Sequence, residues 1–213
     1  MKHLILIGPP GAGKSTISDL LIARIPMAVI ATGQRLRQEI AAHSLIGREI
    51  GPLMEQGHFA SDTLMAQLMR GWFAEVPVGQ GFLLDGFPRT VPQALALEEM
   101  LADIRRPLDA VVSLELSADE AVRRLSGRRI CVGGGESFTL HIDDDAAVAR
   151  CHTRGGQLTH RDDDIPEVIL ERLRVYEHET TPLIDFYRQR GILTTINAHG
   201  PAAEVAARVL AAI

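Results

Sequence analysis

The chain has 213 residues, 46% of them hydrophobic, enough for one sizeable core or a core that carries small insertions. Its 22 basic residues against 27 acidic ones leave a formal net charge of −5 with no long basic run, so neither nucleic acid nor an anionic membrane is expected as the main partner. No segment approaches about 18 consecutive apolar residues and no secretory leader pattern opens the chain, so a cytoplasmic protein is expected, with its two cysteines, Cys131 and Cys151, reduced.

In chain order, the apolar run HLILI at 3–7 reads as a strand, and GPPGAGKST follows it directly. A helix is expected from Lys14 to about Ile25, then a strand at MAVIAT and a helix over SDTLMAQLMRGWF. The strand GFLLDG leads to a helix at VPQALALEEMLADI with Pro92 in its first turn. After the strand DAVVSLEL comes the helix SADEAVRRLSGR, which Ser117 should cap, with Glu120 three residues on. From about Gly127 to Asp164 the rhythm breaks. Glycines at 133–135, acidic residues at 143–145 and RGGQLTHRDDD read as an inserted, largely irregular or short-stranded lobe. One helix over PEVILERLRVYEHETTPLIDFYRQR and a strand at GILTTINA complete the chain. This alternation predicts an α/β fold, a parallel five-stranded sheet with helices on both faces.

GPPGAGKST satisfies G-x-x-x-x-G-K-[ST] through Gly8, Gly13, Lys14 and Ser15, between a strand and a helix as the physics requires. Glycines 8, 11 and 13 let several N–H groups converge on one phosphate, and the helix N-terminus adds partial positive charge. Residues Gly11, Ala12, Gly13, Lys14, Ser15 and Thr16 are therefore expected to hold a nucleoside triphosphate. Lys14 would bridge its β and γ phosphates, and Ser15 or Thr16 would order Mg²⁺ or the α phosphate. A glycine-rich turn without function is the bland alternative, and the register of strand, motif and helix argues against it. Asp85 ends the run GFLLD, so its carboxylate should emerge at the carboxyl edge of the sheet and order a Mg²⁺ water, the alternative being a strand-ending turn former.

GPPGAGKST, ATGQRLR, GFLLDGFPRTVPQA, SGRR, THRDDD and ERLRVYEHETTPLIDFY together resemble the adenylate kinases, in the same order and at similar spacing over the full chain. DGFPRT is the most specific of these. The resemblance implies a P-loop core over 1–30, 61–126 and 165–213, an AMP-binding helical insertion at 31–60 and a lid at 127–164. It implies a monomer that converts ATP and AMP reversibly into two ADP, with Mg²⁺ arriving on ATP and the lid closing to exclude water. By the same likeness Arg37 and Arg89 hold the AMP phosphate, and Arg128, Arg161 and Arg172 close over the transferring group; Arg161 and Arg172 also border the AMP site. Thr32 and Gln93 lie near the AMP adenine, with His58, Phe59, Ala60, Gly86, Phe87 and Pro88 around the pocket. Ser137, Phe138 and the backbone carbonyl of Gly200 join Arg128 on the ATP side.

This assignment suits the chemistry. Phosphoryl transfer between two polyanions is mainly a matter of gathering charge without water, and a planar guanidinium grips two phosphate oxygens where an ammonium is a point charge. Lys14, Asp85, Arg89, Arg128, Arg161 and Arg172 form the expected catalytic set, with no general base required. The alternatives are a kinase for another monophosphate, differing at Thr32 and Gln93, and a silent adenine-nucleotide sensor, which would have no need of five gathered guanidiniums.

Three departures stand out. Gln34 replaces the acidic residue of the usual TGD, and His58 replaces a residue that is often basic. In the lid, relatives bind structural zinc through two Cys-x-x-Cys pairs or use a polar cluster instead; here Cys131 and Cys151 hold the first position of each pair, and Gly134 and Arg154 the second. Two thiolates are poor provision for a four-ligand site. Structural zinc is not expected, and the favoured reading is two free cysteines packed near Phe138 and Leu140. A metal completed by His141, His152 or one of Asp143 to Asp145, or a disulfide, are the alternatives.

Overall fold

The computed structural model describes residues 1–135 and 137–213. The chain runs β1 (His3–Ile7), α1 (Lys14–Ile22), β2 (Met27–Ala31), α2 (Thr32–Ala41), α3 (Leu45–Glu55), α4 (Asp62–Ala74), β3 (Gly81–Asp85), α5 (Val91–Asp103), β4 (Ala110–Glu115) and α6 (Ala118–Ser126). There follow β5 (Arg128–Val132), β6 (Phe138–His141), α7 (Asp145–Thr153), β7 (Gln157–Thr159), α8 (Pro166–Val175), α9 (Pro182–Gln189), β8 (Leu193–Asn197) and α10 (Ala202–Ala212).

Five strands pair in parallel in the order β2-β3-β1-β4-β8, as expected. Successive side chains of a strand point to opposite faces, and the sheet uses that alternation to build two cores. Ile5, Ile7, Phe82 and Leu84 pack with Met65, Met69 and Trp72 of α4, Leu97 of α5 and Leu183 of α9. Leu4, Leu6 and Leu83 pack on the other side with Ile17 and Leu21 of α1 and Val205 and Val209 of α10. Asp85 lies in register with Leu6 of β1 and Ala31 of β2. The glycine-rich loop, the turn after Asp85 and Thr32 therefore all leave the sheet at its carboxyl edge, where open α/β folds bind ligands.

Some elements differ from expectation. α1 ends at Ile22, and Ser117 precedes α6 without a side-chain cap; the Glu120 carboxylate does not turn back to it but accepts from Arg123 and Arg124 at 2.7 and 2.8 Å. The long helix after residue 165 is interrupted by a π-turn at Tyr176–Thr180. Pro182 has no N–H to give the carbonyl four residues earlier, and Thr181 N–H instead reaches Tyr176 O at 3.0 Å.

The lobe after Gly127 is more ordered than its composition suggests. β6-β5-β7 form an antiparallel sheet, and α7 packs on it. The acidic triplet starts that helix: Asp144 caps it by accepting from Ala147 N–H at 3.0 Å, and Asp145 opens its first turn. Cys131 and Cys151 are buried beside Leu140 and Phe138, as expected, but they are bonded to one another. This corrects the reading of two free thiols. Their Cα atoms stand 5.8 Å apart, and Gly156 leaves the space, since a β-carbon there would lie 2.5 Å from Cys131 Sγ. A lobe whose apolar core is this small gains from a covalent link what packing cannot supply.

Candidate active site

The glycine-rich loop joins β1 to α1 through two glycines with left-handed backbone, Gly11 (φ 84°) and Gly13. At Gly11 space forbids a side chain as well: a β-carbon would stand 3.0 Å from the carbonyl oxygen of Ala121 on α6. At Gly13 the constraint is conformation alone: nothing lies within 4 Å, but φ is 83°, a left-handed value that side chains disfavour. Gly13 caps α1 without any side-chain acceptor, so the first amides of the helix remain turned to an incoming anion. Ala12 is buried beneath the loop and donates its N–H to Pro9 O at 3.1 Å, while Ser15 and Thr16 are exposed. Lys14 Nζ donates to the carbonyls of Gly8 and Pro9 at 2.7 and 3.0 Å. Desolvation lowers its pKa to about 8, Asp85 opposes that fall, and Arg89, Arg172 and Arg128 add to it. One electrostatic field thus joins the loop to three distant arginines.

Ser15 Oγ donates to Asp85 Oδ2 at 2.7 Å, bringing a hydroxyl and a carboxylate together at the sheet edge. Both are hard oxygen donors of the kind Mg²⁺ takes, so these residues fit that ion. Among the described residues no group of three or more His, Cys, Asp or Glu side chains is arranged to hold a metal by itself.

The turn after Asp85 brings Arg89 to the N-terminal part of α2, where it meets Arg37 of that helix. Arg89 Nε donates to Gly86 O at 2.8 Å, and the hydroxyl of Thr32 donates to the same carbonyl at 2.9 Å. A β-carbon at Gly33 would lie 3.4 Å from Arg37 Nη1 and 3.8 Å from Arg89 Nη2, so the two guanidiniums converge there. Burial holds the pKa of each down to about 10, with Arg161 the next cause for Arg37 and Arg172 for Arg89. Arg89 also stacks over Phe59, 4.7 Å from its ring centre. Phe87 and Pro88 are buried and can offer only backbone to a ligand. Gln93, on the first turn of α5, is 2% exposed; its Oε1 accepts from Arg89 N–H at 2.8 Å and its Nε2 donates to Asp62 Oδ1 at 2.7 Å.

A second group of arginines surrounds two carboxylates. Arg128 grips Asp164, Arg161 grips Asp163 at 2.8 and 2.7 Å, and Arg172 reaches Asp163 O and Asp164 Oδ1 at 2.7 and 3.0 Å. Burial raises the Asp163 carboxyl, but Arg172 and Arg161 outweigh it and hold the group below the ordinary carboxylate range. These two aspartates went unmarked in the sequence reading; their signal was the acidic run directly after Arg161. The segment after α3 touches this group as well: a β-carbon on Gly57 would be 2.9 Å from Arg172 Cγ, and His58 Nε2 lies 3.1 Å from Glu171 Oε1.

Other expected residues lie farther out. His58, Phe59 and Ala60 border a cavity of about 380 Å³ whose lining also includes Val175 and His178. Phe138 packs in the small core of the β5-β6-β7 lobe with Arg150 stacked 4.0 Å from its ring, beside an exposed Ser137. Gly200 is exposed at the end of the loop after β8. That loop is held by Arg124, which donates to Ala198 O at 3.1 Å, and by Arg208, which donates to His199 O at 3.0 Å. Arg124 stands on α6, and its local sequence carries no sign of this contact. Gln34 is exposed on α2.

Comparison with known proteins agrees with this arrangement. The family model for adenylate kinase matches residues 6–192. The chain is 40% identical to the adenylate kinase of Salinispora tropica over 211 residues, covering 99% of this chain and 97% of that one. It is 42% identical to that of Acidothermus cellulolyticus with the same coverage, and 40% identical to that of Trichlorobacter lovleyi over 99% of both chains. With its phosphate loop, its arginine groups and these relatives, the chain belongs to the adenylate kinase family, transferases that phosphorylate nucleoside monophosphates.

Proposed function

We propose that this chain transfers the γ-phosphoryl group of ATP reversibly to AMP, giving two ADP. The observation that carries the reading is the convergence of Lys14 and five arginines from separate segments, close enough that the arginines help to lower the pKa values of Lys14, Arg37, Arg89 and Arg172. Such crowding of like charge is unfavourable in an empty site and becomes favourable when two polyphosphates enter.

In this account the loop amides and Lys14 hold the β and γ phosphates, and Arg37 and Arg89 hold the phosphate of AMP. Arg128, Arg161 and Arg172 exchange their partners Asp163 and Asp164 for the equatorial oxygens of the group in transit. Gly200 and the lid residues Ser137 and Phe138 would face the ATP base and ribose. Ser15 and Asp85 would hold Mg²⁺ with ATP, and the ion supplies charge neutralisation on the phosphate oxygens. Division into a core, an acceptor insertion at 31–60 and a lid at 127–164 accords with the α2–α3 pair and with the separate sheet of β5, β6 and β7. The acidic composition supports a protein that acts on free nucleotides rather than on nucleic acid or membrane, and we read it as a cytoplasmic monomer. ATP labelled in its γ phosphate, incubated with AMP and the enzyme, should place the label in the β phosphate of ADP, and ADP alone should return ATP and AMP. Nucleotide binding without transfer of label would instead support the silent sensor.

A further inference from the structure

The Gln93 amide is tied at both ends by partners that cannot exchange roles. Its Oε1 faces a main-chain N–H, that of Arg89, and its Nε2 faces a carboxylate oxygen, Asp62 Oδ1. A main-chain N–H only donates and an ionised carboxylate only accepts, so turning the amide over would set donor against donor and acceptor against acceptor. Asp62 is itself fixed. It opens α4, and the same Oδ1 accepts from the Thr90 hydroxyl at 3.0 Å, whose oxygen accepts Gln93 N–H at 3.2 Å.

What the amide has left to offer a ligand is one N–H on the Nε2 side and one lone pair on the Oε1 side, in a fixed order. That order separates two kinds of purine. Position 6 is a hydrogen-bond donor in adenine and an acceptor in hypoxanthine, whichever edge of the base is presented. An amide whose oxygen is held toward position 6 accepts the first and opposes the second, and a site with a pinned polar group discriminates far more sharply than one free to adjust.

We propose that Asp62 is a specificity-determining positioning residue, which holds the Gln93 amide in the polarity that takes a 6-amino purine monophosphate and rejects a 6-oxo purine. The inference rests on the reading of Gln93 as a contact to the acceptor base. Asp62 touches no substrate atom in this account and acts only through Gln93.

The test measures kcat and KM for AMP and for IMP in the full-length enzyme. In Asp62→Asn the new side chain can donate or accept, so a reversed Gln93 finds a partner there and only the Arg89 N–H opposes it. The AMP to IMP ratio of kcat/KM should fall about tenfold, the size of one charge-assisted hydrogen bond, with kcat for AMP changing much less than KM. Asp62→Thr, whose hydroxyl also serves both roles, should move the ratio in the same direction. Ser61→Ala removes only the cap of the same helix, the bond from Leu64 N–H at 3.3 Å, and should leave the ratio unaltered. A wild-type ratio in either folded Asp62 variant overturns the proposal, as does an equal fall in Ser61→Ala. Gln93→Ala separates the two levels. A lowered ratio there with an unaltered one in Asp62→Asn overturns the role of Asp62 alone; an unaltered ratio in Gln93→Ala overturns the base contact and the proposal together.

Discussion

Arg128 and Asp164 meet through two hydrogen bonds, Nε to Oδ2 at 2.7 Å and Nη2 to Oδ1 at 2.5 Å, and Asp164 is 1% exposed. Arg128 opens β5 and Asp164 lies just before α8, so this pair joins the two chain segments that lead into and out of the lobe of β5, β6, β7 and α7. Removing one member of a buried ion pair strands the other. Asp164→Ala should cost about 3 kcal/mol in denaturant unfolding and lower kcat/KM at least tenfold, because Arg128 and Arg172 both lose their alignment. Wild-type stability would show that the pair is replaceable by water.

The convergence of Arg89 and Arg37 on Gly33 makes a different demand. Arg89→Ala and Lys14→Met should each lower kcat/KM by about 100-fold or more while circular dichroism remains that of the native fold. Near wild-type turnover in either folded variant would remove that residue from the transfer site.

Lys14 gives the account a pH signature. Its ammonium is desolvated to a pKa of about 8, so in the free enzyme it loses its proton as pH rises through that value. The protonated form is the one that attracts phosphate. kcat/KM for ATP should therefore fall above about pH 8, whereas kcat at saturating ATP should hold to higher pH, since bound phosphate raises the pKa again. A kcat/KM flat to pH 9.5 would contradict this.

The bond between Cys131 and Cys151 closes a separation of 20 residues within the lid. Protein unfolded without reductant should yield no titratable thiol, and reduction or Cys151→Ser should destabilise the lid by about 3 kcal/mol. The loss should appear as faster proteolysis within residues 127–164, with the sheet core unaffected. Two free thiols in the unfolded, unreduced chain would show that the bridge does not form.

The contrast between core and lid explains what the sequence made legible. The parallel sheet could be read because its strands are continuous apolar runs and its helices carry apolar stripes, and both signals are local. The phosphate loop was readable because glycine, lysine and hydroxyl must stand at fixed spacing for a backbone to surround a phosphate. The lid has no such periodicity. Its acidic triplet reads as a loop until Asp144 is seen to cap α7, and the pairing of Cys131 with Cys151 depends on that helix folding back across β5. Asp163 and Asp164 carry a local signal, the acidic run after Arg161, but it does not say which arginines they meet; Asp62 has no such signal, and in each case the partners are brought close only by the fold.

The central claim is that this site gathers charge to move a phosphoryl group from ATP to AMP. ADP formation measured with Mg·ATP and, in turn, AMP, IMP, GMP, CMP and UMP tests it most directly. The account predicts turnover with AMP at a kcat/KM at least 100-fold above that for any other monophosphate; no turnover with AMP, or an equal or better rate with a pyrimidine monophosphate, would contradict it.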